Sequence, residues 1–129
     1  MKKLIALATA AFVVGVLALP AQAVKPTVTP SIVLATADPH LGGTIDFATV
    51  APKVPGNTVV RIQVTCYQDE ALVYGEAYNV GTPFLLGGGW SKWLENGGPA
   101  SCTADLYYWS YKGEQVFNLL ASTSFAAAG

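Results

Sequence analysis

One histidine, His40, and two cysteines, Cys66 and Cys102, limit the catalytic and metal chemistry open to this chain. Nucleophilic catalysis needs a nucleophile, a base and an orienting group within hydrogen-bond reach. His40 lies in a turn rich in proline and glycine, and the sequence has no G-x-S-x-G motif, so we interpret this histidine as a surface turn residue. One histidine without a C-x-x-C pair also leaves too few ligands for zinc. The sequence therefore predicts no catalytic residue, no metal ligand and no cofactor.

Carboxylates are the remaining candidates for catalysis, because a pair of them can cleave a glycosidic bond. The seven candidates are Asp46, Asp69, Glu70, Glu76, Glu95, Asp105 and Glu114. Most occupy turns or outward-facing positions of expected strands, where a solvated charge is the usual state, and Asp69-Glu70 matches a hairpin turn. Calcium is harder to exclude, since Asp38, Asp46 and Asp69 could meet in space, although no spaced acidic loop supports it. The sequence favours a protein that is not an enzyme.

Aromatic side chains are the strongest candidates for binding a ligand. Trp90 and Trp93 lie in a glycine-rich stretch, and Tyr107, Trp109 and Tyr111 alternate along one face at the end of an expected strand. Amphipathic rings with few neighbouring charges suit glycans or protein surfaces. The alternative is burial in the core, which the context of Trp93 favours. For Trp109 and Tyr111 the sequence leaves both interpretations open.

Residues 1–23 have the pattern of a cleavable secretory leader. Lys2 and Lys3 precede an uncharged run from residue 4 to residue 19, and Ala21-Gln22-Ala23 matches a signal-peptidase site. The run is shorter than the roughly 20 residues that a helix needs to span a bilayer. We therefore expect a bacterial or phage protein that is secreted to the periplasm or the extracellular space, with no membrane span once the leader is removed.

The remaining chain, residues 24–129, is expected to form one domain. Without the two lysines of the leader it has five basic and eight acidic residues, a formal charge of about −3. It therefore offers no basic surface for a phosphate backbone, which argues against nucleic acid as a partner. In an oxidising compartment Cys66 and Cys102 are expected to form a disulfide. Closing this loop should stabilise the fold by roughly 3–4 kcal/mol on the chain-entropy model.

Apolar and polar residues alternate with a period of two through most of this domain, which is typical of strands. The expected strands cover 31–36, 44–50, 58–68, 71–78, 84–86, 100–109 and 115–125, with a further short strand through Trp93 and a frayed end at 126–129. No segment has a capped helical repeat. Seven to eight short strands separated by turns predict an all-β fold with two sheets packed as a sandwich, and a closed barrel is the structural alternative.

Three of these strands resemble those of immunoglobulin-like domains on secreted bacterial and phage proteins. The resemblance depends on G-x-I-x-F at 43–47, I-x-V-x-C at 62–66 and C-x-A-x-L-x-Y at 102–108. It implies an immunoglobulin-like sandwich, but the cysteines depart from the immunoglobulin pattern, in which the bridge joins the two sheets. Here Cys66 lies on the third expected strand and Cys102 opens the sixth, so we expect a bridge within one sheet or at its end.

Two functions are compatible with these features. In the first, the domain is a non-catalytic recognition or adhesion module that contacts a glycan, a cell-envelope component or a protein surface. In the second, it is a structural protein that assembles into an oligomer, a surface layer or a virion through strand edges and outward-facing aromatic residues.

Overall fold

The computed structural model describes residues 28–89 and 91–129, so the expected leader and Trp90 lie outside the described residues. The strands are β1 (Ser31–Leu34), β2 (Thr44–Ile45), β3 (Phe47–Val50), β4 (Arg61–Gln68), β5 (Ala71–Asn79), β6 (Phe84–Leu85), β7 (Ala100–Lys112) and β8 (Glu114–Ala127), and one helix, α1, spans Lys92–Asn96. The prediction of an all-β fold is confirmed for this part of the chain. Backbone hydrogen bonds divide the strands into three sheets rather than the expected two.

The largest sheet has four antiparallel strands in the order β5-β4-β7-β8. Its inner face is apolar because the alternating residues of the central strands point the same way. Ile62 and Val64 of β4 lie opposite Leu106 and Ala104 of β7, and all four are buried. The other residues of these strands form an outer face toward solvent, which carries the candidate site described below.

Two small sheets, β1-β3 and β2-β6, supply the rest of the core. The expected strand over 44–50 is divided at Asp46, because β2 pairs with β6 while β3 pairs with β1. Asp46 lies at this change of partner and bonds to the segment after β1. Its N–H donates to Thr36 Oγ1 at 2.9 Å, and its carbonyl accepts from Ala35 N at 2.9 Å. A pattern of period two cannot show such a change of partner, since the alternation continues through it.

One hydrophobic core joins all three sheets. Ile32 of β1, Ile45 of β2 and Phe84 of β6 are buried in the same cluster as the inner face of the large sheet. Phe47 of β3 lies 6.0 Å from the rings of both Phe84 and Phe125, and so connects β6 with β8. Ile45 is buried and Phe47 packs against the core, whereas Asp46 between them is exposed.

The predicted disulfide between Cys66 and Cys102 is present. The two residues are direct partners on the neighbouring strands β4 and β7, their Cα atoms are 4.0 Å apart, and both are buried. The bridge therefore lies within one sheet, as the departure from the immunoglobulin pattern predicted.

The short strand expected through Trp93 is wrong, because this segment forms the helix α1. Ser91 caps it: its Oγ accepts from Trp93 N at 3.1 Å and donates to Val73 O at 2.8 Å. The indole of Trp93 is buried and its Nε1 donates to Gly98 O at 2.7 Å. No helix in the described part of the chain is long and apolar enough to cross a membrane.

The expected frayed end is also wrong. Ala126 and Ala127 continue β8 opposite Ser101 and Ala100. Beyond them, Ala128 N donates to Pro39 O at 3.0 Å and Ala128 O accepts from Leu41 N at 2.8 Å. The small side chains that suggested fraying allow this close packing against the turn that contains His40.

Candidate ligand-binding surface

The candidate site lies where β7 and β8 extend beyond the rest of the large sheet. Arg61 begins β4 and pairs with Tyr107, so the residues from 108 to 112 of β7 pair only with β8. At about 3.4 Å per residue this hairpin projects roughly 17 Å past the first residue of β4. Gly113, with φ of +86°, forms its tip. Both sides of this hairpin are therefore available to solvent over much of their length.

Three aromatic rings pack together on the outer face at the base of this hairpin. We call Tyr107, Trp109 and Phe117 the aromatic platform. The rings of Tyr107 and Phe117 are stacked with centroids 4.7 Å apart, and Trp109 meets them edge to face at 6.0 Å and 5.4 Å. Trp109 lies directly opposite Phe117 in the ladder, whereas Tyr107 lies opposite Leu119. Cross-strand neighbours of this kind hold one another in place.

The platform is partly covered and partly open. Tyr107 is only 3% exposed because its neighbours cover it, whereas Phe117 is 40% exposed and Trp109 is half-buried. Further along the same face Tyr111 is 63% exposed, and its hydroxyl accepts from Gln115 Nε2 at 3.2 Å. The result is an area of partly exposed aromatic rings with hydroxyl and amide groups at its border.

A shallow groove of about 140 Å³ runs beside the platform. It is lined by Asn57, Thr58, Val59, Arg61, Trp109 and Tyr111. The segment that leads into β4 forms one wall, since it follows a turn in which Thr58 Oγ1 donates to Pro55 O at 2.6 Å. The groove is too small to enclose a ligand, so binding here would occur on an open surface.

Two hydrogen bonds hold the guanidinium of Arg61 in place at the edge of the groove. Its Nη2 donates to Ala77 O at 3.1 Å, and its Nη1 donates to Asn79 Oδ1 at 3.4 Å. Both partners belong to β5, which holds the guanidinium against the sheet. Both partners are neutral, so these hydrogen bonds orient the guanidinium without cancelling its positive charge.

The structure brings together three of the five aromatic residues that the sequence singled out. Tyr107, Trp109 and Tyr111 share the outer face, but Tyr107 is covered by its neighbours and so supports the other rings. Trp93 is buried in the core and cannot contact a ligand directly. Trp90 lies outside the described residues. Sequence reasoning missed Phe117, which completes the platform. The alternation of Phe117 with Leu119 on the final strand was the available signal, but only the register places Phe117 opposite Trp109.

A scan against protein-family models finds no match to this chain, and searches of curated proteins and of solved structures find none either. The function must therefore be argued from the chemistry of the surface.

No three His, Cys, Asp or Glu side chains among residues 28–89 and 91–129 lie close enough to hold a metal ion. His40 Nδ1 lies 3.1 Å from the backbone oxygen of Asp38, within its own turn. Burial, together with Glu76 and Tyr78, raises the pKa of Tyr74, but this phenol lies in the core.

A larger cleft lies at the opposite end of the sheet, beside the turn between β4 and β5. It has a volume of about 830 Å³ and is open to solvent. One wall is built by Gln68, whose Nε2 donates to Gly97 O at 2.6 Å and to Pro99 O at 3.1 Å. This amide ties β4 to the loop after α1 and so has a structural role. The cleft has no cluster of exposed rings comparable to the platform.

Proposed function

We propose that this chain is a secreted, non-catalytic recognition module that contacts a glycan, a cell-envelope component or a protein surface. The aromatic platform is the single observation that supports this most directly. Three rings interlock on the outer face of the sheet, where Phe117 is 40% exposed and Trp109 is half-buried. Because the rings already hold one another in place, ordering these side chains on binding would cost little conformational entropy.

We also propose export to an oxidising compartment and an immunoglobulin-like architecture. A leader pattern at 1–23 together with a disulfide between buried cysteines is what export to an oxidising compartment would favour. The strand β1 lies against β8, and the small sheets share one core with the large sheet. We propose that this arrangement is a variant of the immunoglobulin-like sandwich in which the disulfide stays within one sheet.

The test is a retention assay with oxidised residues 24–129 on cell envelopes and on immobilised proteins and polysaccharides. We expect retention that saturates and that is lost in Trp109→Ala. Tyr111→Ala should weaken it without touching the core, since this residue is exposed. Tyr67→Ala is the matched control, because Tyr67 is also an exposed aromatic residue. It pairs with Ser101, toward the disulfide end of the sheet and away from the platform.

Equal retention of Trp109→Ala and the unaltered chain, with both folded by circular dichroism, would reject the platform as the site. If neither is retained by any material, the recognition function itself is rejected.

Assembly is the second candidate function, and a different observation favours it. β8 is the last strand of its sheet, and Val116, Phe117 and Leu119 are all at least 40% exposed on its hairpin half. An edge strand with exposed apolar residues can pair with another chain. Light scattering across a concentration range separates the two candidates, because assembly predicts an oligomer and recognition predicts a monomer.

A further inference from the structure

The outer face continues from the aromatic platform into rows of small polar side chains. The register places Gln63 beside Asp105 and Ser122, and the next row brings Thr65 beside Thr103 and Ser124. We call these six residues the polar track. All six are exposed or half-buried. Successive rows are two residues apart along the strands, which corresponds to about 7 Å.

The two charged groups on these rows have partners within the chain. Asp105 accepts a hydrogen bond from the hydroxyl of Ser122. Arg61, in the row of Tyr107, donates to the backbone and side chain of β5, as described above. The two charges are opposite in sign, so together they favour neither an anionic nor a cationic ligand.

The remaining groups on the track are hydroxyls and an amide, which both donate and accept hydrogen bonds. They complement a ligand that is itself covered with hydroxyl groups. At the other end, the exposed parts of Trp109 and Phe117 offer an apolar surface to the C–H face of a ring. Few ligands other than a sugar combine an apolar ring face with a dense border of neutral hydroxyls.

The length of the surface indicates a chain rather than a single sugar. From Trp109 to Thr103 along β7 is six residues, or roughly 20 Å in a strand. The groove beside the platform is too small to enclose one unit, so each contact on the open face would be weak. Useful affinity then requires several units bound in succession.

We propose that the outer face of the large sheet binds a neutral polysaccharide chain that runs along β7. One unit packs its apolar face against the exposed parts of Trp109 and Phe117, and the following units hydrogen-bond to the polar track. This inference depends on the recognition function proposed above and specifies its ligand class.

Affinity electrophoresis in native gels containing soluble polysaccharides tests the inference directly. The neutral probes are xylan, mannan, mixed-linkage glucan and dextran, and the anionic probes are polygalacturonate and heparin. We expect at least one neutral polymer to retard the chain, with no dependence on salt, since an uncharged ligand has no attraction to screen. Oligosaccharides cut from that polymer should bind more tightly as their length increases.

Variants distinguish the platform from the track. Trp109→Ala should abolish retardation. Ser124→Arg places a long charged side chain across the track and should weaken binding by about tenfold or more. Thr82→Arg is the matched control, because it adds the same charge in the exposed turn after β5 and should bind as the unaltered chain does.

Stronger retardation by the anionic probes, or equal binding by Ser124→Arg and Thr82→Arg, would overturn the inference. If envelopes retain the chain through Trp109 while no neutral polymer retards it, the ligand class is wrong and the recognition function still holds. If envelopes, proteins and polysaccharides all fail, both proposals are rejected together.

Discussion

Among the described residues, Tyr74 places a polar group in the core without a hydrogen-bond partner. Its side chain is 4% exposed and packs near Trp93, with ring centroids 6.3 Å apart. Its hydroxyl is buried and has no hydrogen-bond partner among the described residues. A buried donor without a partner has lost its bond to water and gained nothing in return.

We therefore expect Tyr74→Phe to stabilise the fold by about 1 kcal/mol, because it removes the unpaired hydroxyl and keeps the ring. Urea unfolding at neutral pH measures the change. Tyr111→Phe, at an exposed position, should change the free energy of unfolding by less than about 0.5 kcal/mol. A clear loss of stability in Tyr74→Phe would show that the hydroxyl has a partner, such as a buried water.

Tyr74 should also make the free energy of unfolding depend on pH in the alkaline range. Burial, and to a lesser degree Glu76 and Tyr78, raises the pKa of Tyr74 above its ordinary value of 10.0. Above pH 10 the unfolded chain releases this proton while the folded chain keeps it, so the free energy of unfolding falls as pH rises. Unfolding series between pH 9 and pH 11 should show a shallower fall in Tyr74→Phe. Parallel curves for the two proteins would contradict this assignment.

Among the elements, the turn between β4 and β5 has the most strained backbone for its residue types. Asp69 and Glu70 both have positive φ, +48° and +69°, as a two-residue hairpin of type I′ requires. Glutamate in this region costs about 1 kcal/mol, and glycine avoids that cost. Glu70→Gly should therefore raise the free energy of unfolding by roughly 0.5–1 kcal/mol.

Glu95→Gly is the matched control for this turn. Glu95 lies in α1 and forms an exposed ion pair with Lys92 at 3.6 Å. Glycine in a helix costs about 1 kcal/mol, so the same substitution should here lower the free energy of unfolding. The opposite signs separate an effect of the turn from a general effect of removing glutamate. Destabilisation by both variants would mean that the Asp69-Glu70 backbone is not strained.

The elements also show what could be predicted from the sequence and what could not. The turn at Asp69-Glu70 and the long strands followed from composition and alternation, which depend on neighbouring residues only. The helix α1 was missed because five residues contain too little periodicity, although Ser91 at its start and Asn96-Gly97-Gly98 at its end are ordinary helix boundaries. The platform could be predicted only in part, because Phe117 joins it through a register that a bulge between Leu106 and Tyr107 shifts.

For the whole molecule, the disulfide joins the two central strands of the large sheet. Cys66 and Cys102 lie on the inner face, where β4 and β7 carry much of the core. They are separated by 36 residues, a segment that contains β5, β6 and α1. The bridge therefore limits the freedom of about one third of the domain in the unfolded chain. The pairing could be predicted from a count of two cysteines, and its position within a sheet from the order of the strands.

Loss of this bridge should cost the domain about 4 kcal/mol, the value that the chain-entropy model gives for a loop of this length. Because small domains are stable by roughly 5–15 kcal/mol, a Cys66→Ala, Cys102→Ala variant should unfold at much lower denaturant concentration. Guanidinium unfolding with and without a reductant measures this. The reductant should destabilise the unaltered chain to a similar extent and leave the double variant unchanged. If oxidised and reduced chains unfold at the same denaturant concentration, the loop is already restricted without the bridge.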